Sequence, residues 1–290
     1  MDQSCIDCDA CRWIAEGLFE RVGDASAVVR QPVGAHERQA AALALVACPT
    51  ASIGGASKED VLAARRAFPV PLATYGAAWG GAADGDSARV LHAGYHAESS
   101  FGAASWFVQR PERGNVLIDS PRWSQPLVER LEALGGVDWI LLTHRDDVAD
   151  HARFQEHFGA TRVLHADDVR AGEAELAGVE RLVRGDDAIE LDDEWTLLPV
   201  PGHTRGSVVF LWRQRFLFSG DHLAWSPKRR DLVAFRSACW FDWDVQTRSM
   251  ERLVDVDFEW VLPGHGRLCR LDEHERRARM TALVAWMRER

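Results

Sequence analysis

Apolar and polar positions follow two different rhythms along this chain. Over residues 1–72 the apolar positions come in short, separated groups. "WIAEGLF", just after Cys11, predicts a short helix, and "SAVVR" at 26–30 predicts a strand. "HERQAAALALVA" at 36–47 predicts a helix that delivers Cys48 at its end. "SKEDVLAARRAF" at 57–68 predicts another, with Ser57 and Asp60 in capping-box positions and Pro69 and Pro71 stopping it. The Gly/Ala-rich run at 73–88 predicts a connector.

From residue 89 the rhythm changes to apolar runs alternating with helical periodicity. "RVLHAGYH", "ASWFVQR" and "NVLIDSP" predict strands. "SQPLVERLEAL" predicts a helix capped by Ser124, and "VDWILLTH" a buried strand ending at His144. "VADHARFQEHF" at 148–158 predicts a helix, with Asp147 just before it in an N-cap position. "TRVLHA", "EWTLLPVPGH", "SVVFLWR", "RFLFSGDH" and "DFEWVLPGHG" predict further strands, and the run 272–290 predicts an amphipathic helix. Strands alternating with helices imply an α/β fold. The boundaries read as 1–72 for a first domain, 73–88 for the connector and 89–290 for the body.

Composition narrows the function. The 290 residues are 47% hydrophobic and 27% charged, which suits globular domains. A formal net charge of −10 argues against a nucleic-acid surface, because phosphate contacts need clustered Lys and Arg. No apolar stretch has the ~20 residues of a membrane span. The start, "MDQSCIDCDACRW", is acidic and cysteine-rich, unlike a signal peptide, so a soluble cytoplasmic protein is expected.

Four of the six cysteines form a pattern. Cys5, Cys8 and Cys11 make C-x2-C-x2-C, and Cys48 precedes Pro49. A tight loop can cap three corners of a cubane, and the fourth ligand must then come from elsewhere. Zinc is the alternative, but structural zinc sites usually pair their ligands two and two. The set resembles the ligands of a single-cluster ferredoxin. The resemblance implies a 4Fe-4S cluster on Cys5, Cys8, Cys11 and Cys48, in a small α+β ferredoxin-like domain. Cys239 and Cys269 are read as packed thiols.

Four strands of the body end in polar tips: "LLTHRDD", "PVPGHTRGS", "FLFSGDH" and "VLPGHG". Such tips let a rigid scaffold converge ligands from distant positions. In this order they resemble the metallo-β-lactamase superfamily over about 89–290. That resemblance implies a four-layer αβ/βα sandwich and two divalent metal ions, zinc or iron. The superfamily run H-x-H-x-D-H is matched by "HRDDVADH", which is two residues longer. His144 matches its first His, and Asp150 and His151 match its end. Asp146 stands where the second His would be. His203, Asp221 and His265 match the remaining ligands, with Asp221 as the bridging carboxylate. The implied arrangement is His144, Asp146 and His203 at one ion, Asp150, His151 and His265 at the other, and Asp221 between them. Asp147 competes with Asp146, and extended-strand alternation favours Asp146. His222 and His165 are weaker candidates. The aromatic stretch 224–243 is read either as a pocket wall or as core.

Two functions follow as expectations. One is a metallo-hydrolase in which a metal-activated water attacks a small-molecule substrate and Asp150 orients the water or takes a proton. The other is a di-iron oxidoreductase or electron-transfer protein, in which the cluster and an electron-transfer partner feed the metal site. A non-catalytic carrier with an empty pocket is a third reading, opposed by the nearly complete ligand set.

Overall fold

A computed structural model describes residues 1–75 and 85–290. Most of the 73–88 connector therefore lies outside the described residues. The chain divides into two compact units, residues 1–140 with 148–160, and residues 141–147 with 161–290.

The first unit opens with α1 (Ala10–Ile14), which follows the cysteine loop. The expected helix is shorter than "WIAEGLF", because Gly17 turns the chain at φ 76°. Phe19 instead starts an antiparallel hairpin of β1 (Phe19–Val22) and β2 (Ala25–Val28). Helix α2 (Gly34–Ala47) ends with Cys48 at its C-cap, as the pattern predicts. Helix α3 (Lys58–Ala67) has Ser57 as its cap, the hydroxyl accepting from the Asp60 N–H at 3.0 Å. Strands β3 (Val70–Pro71), β4 (Val90–His92), β5 (Trp106–Val108) and β6 (Val116–Ile118) lie side by side, each pair from β3 to β6 antiparallel. Their residues are buried apart from Pro71, which explains the continuous apolar runs. Helix α4 (Gln125–Ala133) and β7 (Trp139–Leu141) follow, then α5 (His151–Phe158). Ser124 stands at the N-cap of α4 without a side-chain cap bond.

Helix α5 starts three residues later than the sequence suggests. Its N-cap position holds Asp150, with no side-chain cap bond. Asp147 therefore does not cap it. Residues 145–150 form a turn instead, with Ala149 at φ 30°, and that turn accommodates the two extra residues of the motif.

The second unit contains β8 (Thr161–His165), the short helix α6 (Ala174–Ala177) and β9 (Arg181–Val183), which pairs in parallel with β8. A second sheet comprises β10 (Ile189–Glu190), β11 (Trp195–Pro199), β12 (Val208–Trp212), β13 (Phe216–Gly220), β16 (Trp260–Pro263) and β17 (Cys269–Arg270), in that order. Its pairs are antiparallel except β13 with β16. Between β13 and β16 come the hairpin β14 (Ala224–Ser226) and β15 (Asp231–Val233), then α7 (Trp243–Leu253). Helix α8 (Glu273–Arg288) ends the chain. Met250 and Leu253 of α7 join Met280, Leu283, Val284 and Met287 of α8 in one buried cluster with Val209, Leu211, Leu217 and Val261. Cys269 belongs to this cluster as a packed thiol. The sheet is thereby fixed on one face, and its strand tips are held where their loops carry the polar residues.

Candidate metal centre and cluster site

The "HRDD" turn after β7 supplies His144, Asp146 and Asp147 to the second unit. The loop from β11 to β12 supplies His203, the end of β13 supplies Asp221, and the turn after β16 supplies His265. Ligand atoms of His144, Asp146 and His203 come within 4.8 Å of one another, as do those of His144, Asp147 and Asp221. His203 Nε2 lies 3.8 Å from Asp146 Oδ2 and 3.7 Å from Asp221 Oδ2. His144 Nε2 lies 4.0 Å from Asp221 Oδ2. These gaps are too long for hydrogen bonds. The Nε2 atoms of His144 and His203 are buried and have no hydrogen-bond partner among the described residues. Two donors about 2.1 Å from one ion stand roughly 3–3.5 Å apart, so this donor set fits a metal after slight tightening.

Electrostatics gives the donors their ligand forms. Burial pushes His144 down to about 3, so it is a neutral imidazole with a lone pair to donate. Its Nδ1 faces Thr143 Oγ1 at 3.0 Å, which orients the ring. Burial opposes ionisation of Asp221, yet the His265, His144 and His203 imidazoles outweigh it and hold the carboxyl well below its usual range. His265 Nδ1 is 2.8 and 2.9 Å from the two Asp221 oxygens. His265 joins neither three-residue cluster; it packs against Asp221. Burial raises the Asp146 carboxyl, which at 42% side-chain exposure is the open edge of the set. Gly264 is required by close approach: a Cβ there would lie 2.5 Å from Asp147 Oδ2. Asp147 is thus buried among the candidate ligands and not spent on a helix end.

The other expected residues join neither cluster. Asp150 and His151 belong to the first unit. Asp150 Oδ2 accepts the Trp123 N–H at 2.6 Å, and His151 is fully buried at the start of α5. His165 is occupied, with Nε2 3.1 Å from the Gly185 carbonyl and Nδ1 accepting the Asp167 N–H. His222 is buried, and burial pushes it down to about 3. In the stretch 224–243, Leu232 and Ala234 are core, whereas Trp240 and Phe241 are exposed beside the His203 loop, whose His203 carbonyl accepts both their N–H groups.

Sequence reasoning missed Asp168. This fully buried carboxylate accepts the Arg145 N–H at 2.9 Å, the Thr204 hydroxyl at 2.7 Å and the Gly206 N–H at 2.8 Å. It ties the turn carrying His144 and Asp146 to the loop carrying His203. The available signal was "LHADD", a fifth strand ending in a polar tip.

In the first unit, Cys5, Cys8, Cys11 and Cys48 line one small pocket. All four are free thiols. Burial pushes Cys8 up to about 12 and Cys11 up to about 11. The Ala10 N–H donates to Cys8, and Ser26 bonds Cys11. Arg12 fastens the loop, reaching Asp7 Oδ1 at 2.5 Å, Ser26 Oγ at 2.6 Å and Asp9. Gly102 packs against the loop at φ 81°, where a Cβ would sit 2.8 Å from Cys8 Sγ. Four converging thiols and backbone or hydroxyl donors suit an iron–sulfur cluster.

Comparison with known proteins covers both regions of the chain. Residues 1–55 match the family "4Fe-4S single cluster domain of Ferredoxin I". Residues 100–265 match the "Metallo-beta-lactamase superfamily". A hydroxyacylglutathione hydrolase from Xanthomonas campestris pv. campestris (strain B100) is 33% identical over 113 residues, covering 38% of this chain and 42% of that protein. Another from Acidiphilium cryptum (strain JF-5) is 33% identical over 100 residues, 33% of this chain and 40% of that protein. The chain thus spans about two-fifths of the length of these curated relatives. Among solved structures, a metallo-beta-lactamase family protein from Thermus thermophilus is 20% identical, with TM-score 0.46, over 64% of this chain and 75% of that one. A metallo-beta-lactamase from Novosphingobium pentaromativorans is 17% identical, with TM-score 0.47, over 70% and 86%. The family match over residues 100–265, more than half of the chain, shows that the protein belongs to the metallo-beta-lactamase superfamily, with a 4Fe-4S single-cluster ferredoxin-type domain at its N-terminus.

Proposed function

We propose that this chain is a metal-dependent hydrolase with a dinuclear site, acting on a small-molecule thioester. The buried Nε2 atoms of His144 and His203, without hydrogen bonds and facing carboxylates at 3.7–4.0 Å, carry the reading. His144, Asp146 and His203 would hold one ion, and Asp147 and Asp221, with His265 alongside, the other. Zinc or iron suits this donor set, and the three carboxylates tilt it toward the harder ion. When bound, the ions supply a water acidified toward neutral pH and Lewis acidity at the carbonyl. The protein holds Asp221 ionised, keeps His144 neutral and leaves Asp146 open to solvent, on the side where substrate can enter. Asp150 and His151 stay candidates on the superfamily pattern alone, Asp150 as the residue that orients the water.

The relatives' name supplies the substrate class, a hydroxyacyl thioester of glutathione. Hydrolysis adds water across its carbonyl–sulfur bond and yields a hydroxy acid and a free thiol. The test is thiol release from such a thioester by anaerobically purified protein with its metal content measured. We expect turnover that disappears with His203→Ala. Fully metal-loaded protein that releases no thiol from glutathione, alkyl or aryl thioesters would sink the proposal.

A second reading is favoured by Asp146, a carboxylate where the superfamily pattern has an imidazole, together with the ferredoxin-type domain. It is a di-iron oxidoreductase supplied with electrons through the cluster by an electron-transfer partner. Two further irons whose oxidation state tracks the cluster would favour it over hydrolysis. Either function suits a reducing, cytoplasmic setting, since free thiols must hold the cluster. Among the described residues no helix is long and apolar enough to cross a membrane.

A further inference from the structure

The cluster cavity is built by residues 1–55, but one cation beside it comes from a later part of the chain. Arg122 lies just before α4. Its Nη1 donates to the carbonyls of Cys48 at 3.1 Å and His96 at 2.6 Å, and its Nη2 donates to the Val46 carbonyl at 2.7 Å. Its backbone N–H donates to the Tyr95 carbonyl at 2.8 Å, and its guanidinium stacks 5.4 Å from the Tyr95 ring centroid. No carboxylate pairs with it among the described residues. The contrast with Arg12 is clear, since Asp7 and Asp9 neutralise that residue.

A half-buried guanidinium satisfied only by neutral carbonyls carries a desolvation cost that a nearby anion would offset. Arg122 and the Cys48 thiolate attract each other electrostatically, although burial is the larger influence and lowers the guanidinium's proton affinity. A cubane on four thiolates is a net anion and becomes more negative by one charge on reduction. A fixed cation therefore stabilises the reduced form more than the oxidised form.

We propose that Arg122 is a positioning residue for the 4Fe-4S cluster: it fixes the Val46–Cys48 segment, and its uncompensated charge sets the cluster's reduction potential. Reduction here is transfer of one electron to the cluster from an external one-electron donor, with no bond made or broken in Arg122. The inference rests on the ferredoxin-type domain and is independent of what the second unit hydrolyses.

The test uses the full chain, purified anaerobically with its cluster. Iron content is measured, and the midpoint potential is obtained by dithionite titration followed by electron paramagnetic resonance. Arg122→Gln should keep its iron and disfavour reduction at least tenfold, a shift of about 59 mV for one electron. Arg122→Lys should stay within threefold of the wild type. An iron-loaded Arg122→Gln protein within threefold of the wild type overturns the proposal, as does an Arg122→Lys protein that shifts as far as the glutamine variant. Where Arg122→Gln cannot hold iron, Arg122→Lys decides alone. Raising the pH to about 11.5 deprotonates most of the introduced amine and should disfavour reduction at least threefold. Tyr95, whose hydroxyl burial pushes up, and Arg65 face this position in both proteins, so the wild type is the control. A lysine variant that tracks the wild type across that range overturns the proposal. Loss of iron from both variants with unchanged circular dichroism also overturns it, because Arg122 would then only hold the segment.

Discussion

At the scale of single residues, adjacent aspartates do different things in this protein. Extended alternation places His144 and Asp146 on one side of the chain, and both join His203 in the structure. The same rule would turn Asp147 away, yet the turn before α5 brings it to His144 and Asp221. We expect Asp146→Asn and Asp147→Asn each to lower bound divalent metal by about one equivalent, measured by elemental analysis of anaerobically prepared protein. Retention of both ions by Asp147→Asn would return that residue to a purely structural role. Glu180 tests the electrostatics away from the site. Burial raises its carboxyl, but three bonds from Arg162, two from the guanidinium and one from the backbone N–H, outweigh this and bring it down to about 2. A depressed pKa stabilises the fold above the unfolded value and loses that contribution as pH falls toward 2. Partial exposure discounts the effect to about 1 kcal/mol. Glu180→Gln should therefore lower the urea midpoint at pH 7 and match the wild type near pH 2. An equal difference at both pH values would refute the ionic origin.

At the scale of elements, the metal centre depends on loops that are stapled together. Asp168, after β8, holds the "HRDD" turn and the His203 loop through three short bonds. Asp168→Ala leaves buried donors unsatisfied and should cost about 3 kcal/mol in stability. It should also weaken metal binding by roughly 10- to 100-fold, as loss of orienting partners does elsewhere. Metal affinity measured by competition with a chromophoric chelator checks this. An affinity within threefold of the wild type would mean that the loops hold without the staple. The strands that carry the candidate ligands were legible because their buried runs end in polar clusters. The edge strands β9, β10 and β17 were not, because two or three residues hold too little pattern to separate from a loop. The late start of α5 was illegible for a different reason. Propensity permits a helix from Val148, but the site needs residues 145–150 as a turn.

At the scale of the whole molecule, two inorganic sites with different ligand chemistry occupy one chain. Thiolates hold iron–sulfur, whereas imidazoles and carboxylates hold divalent ions. A hard-ion chelator should therefore abolish the proposed thioester hydrolysis and leave the cluster's visible absorbance intact. Loss of both together would mean that the sites are one cooperative system. Cluster assembly should also be pH-dependent. Burial sets Cys8 near 12 and Cys11 near 11 without iron, so both are protonated at neutral pH and must release their protons on loading. Loading should strengthen as pH rises from 6 to 9, read as iron retained against a fixed competing chelator. A flat response would show that other groups take up those protons.

The sequence by itself determined the α/β class, the four converging thiols and most of the strand tips at which imidazoles and carboxylates gather. These follow from local rules: apolar period, capping residues and ligand spacing act over a few positions and survive in any context. Only the tertiary structure decided which aspartates face His144, that Asp168 staples two ligand loops, and that Arg122 reaches back to the Cys48 segment. The Asp168 and Arg122 contacts join residues 23 to 76 positions apart. Their partners are fixed by packing and by the need to satisfy buried charge, and no local pattern encodes either. In "HRDDVADH" the residue types were readable, but their roles were assigned by the turn that the surrounding fold imposes.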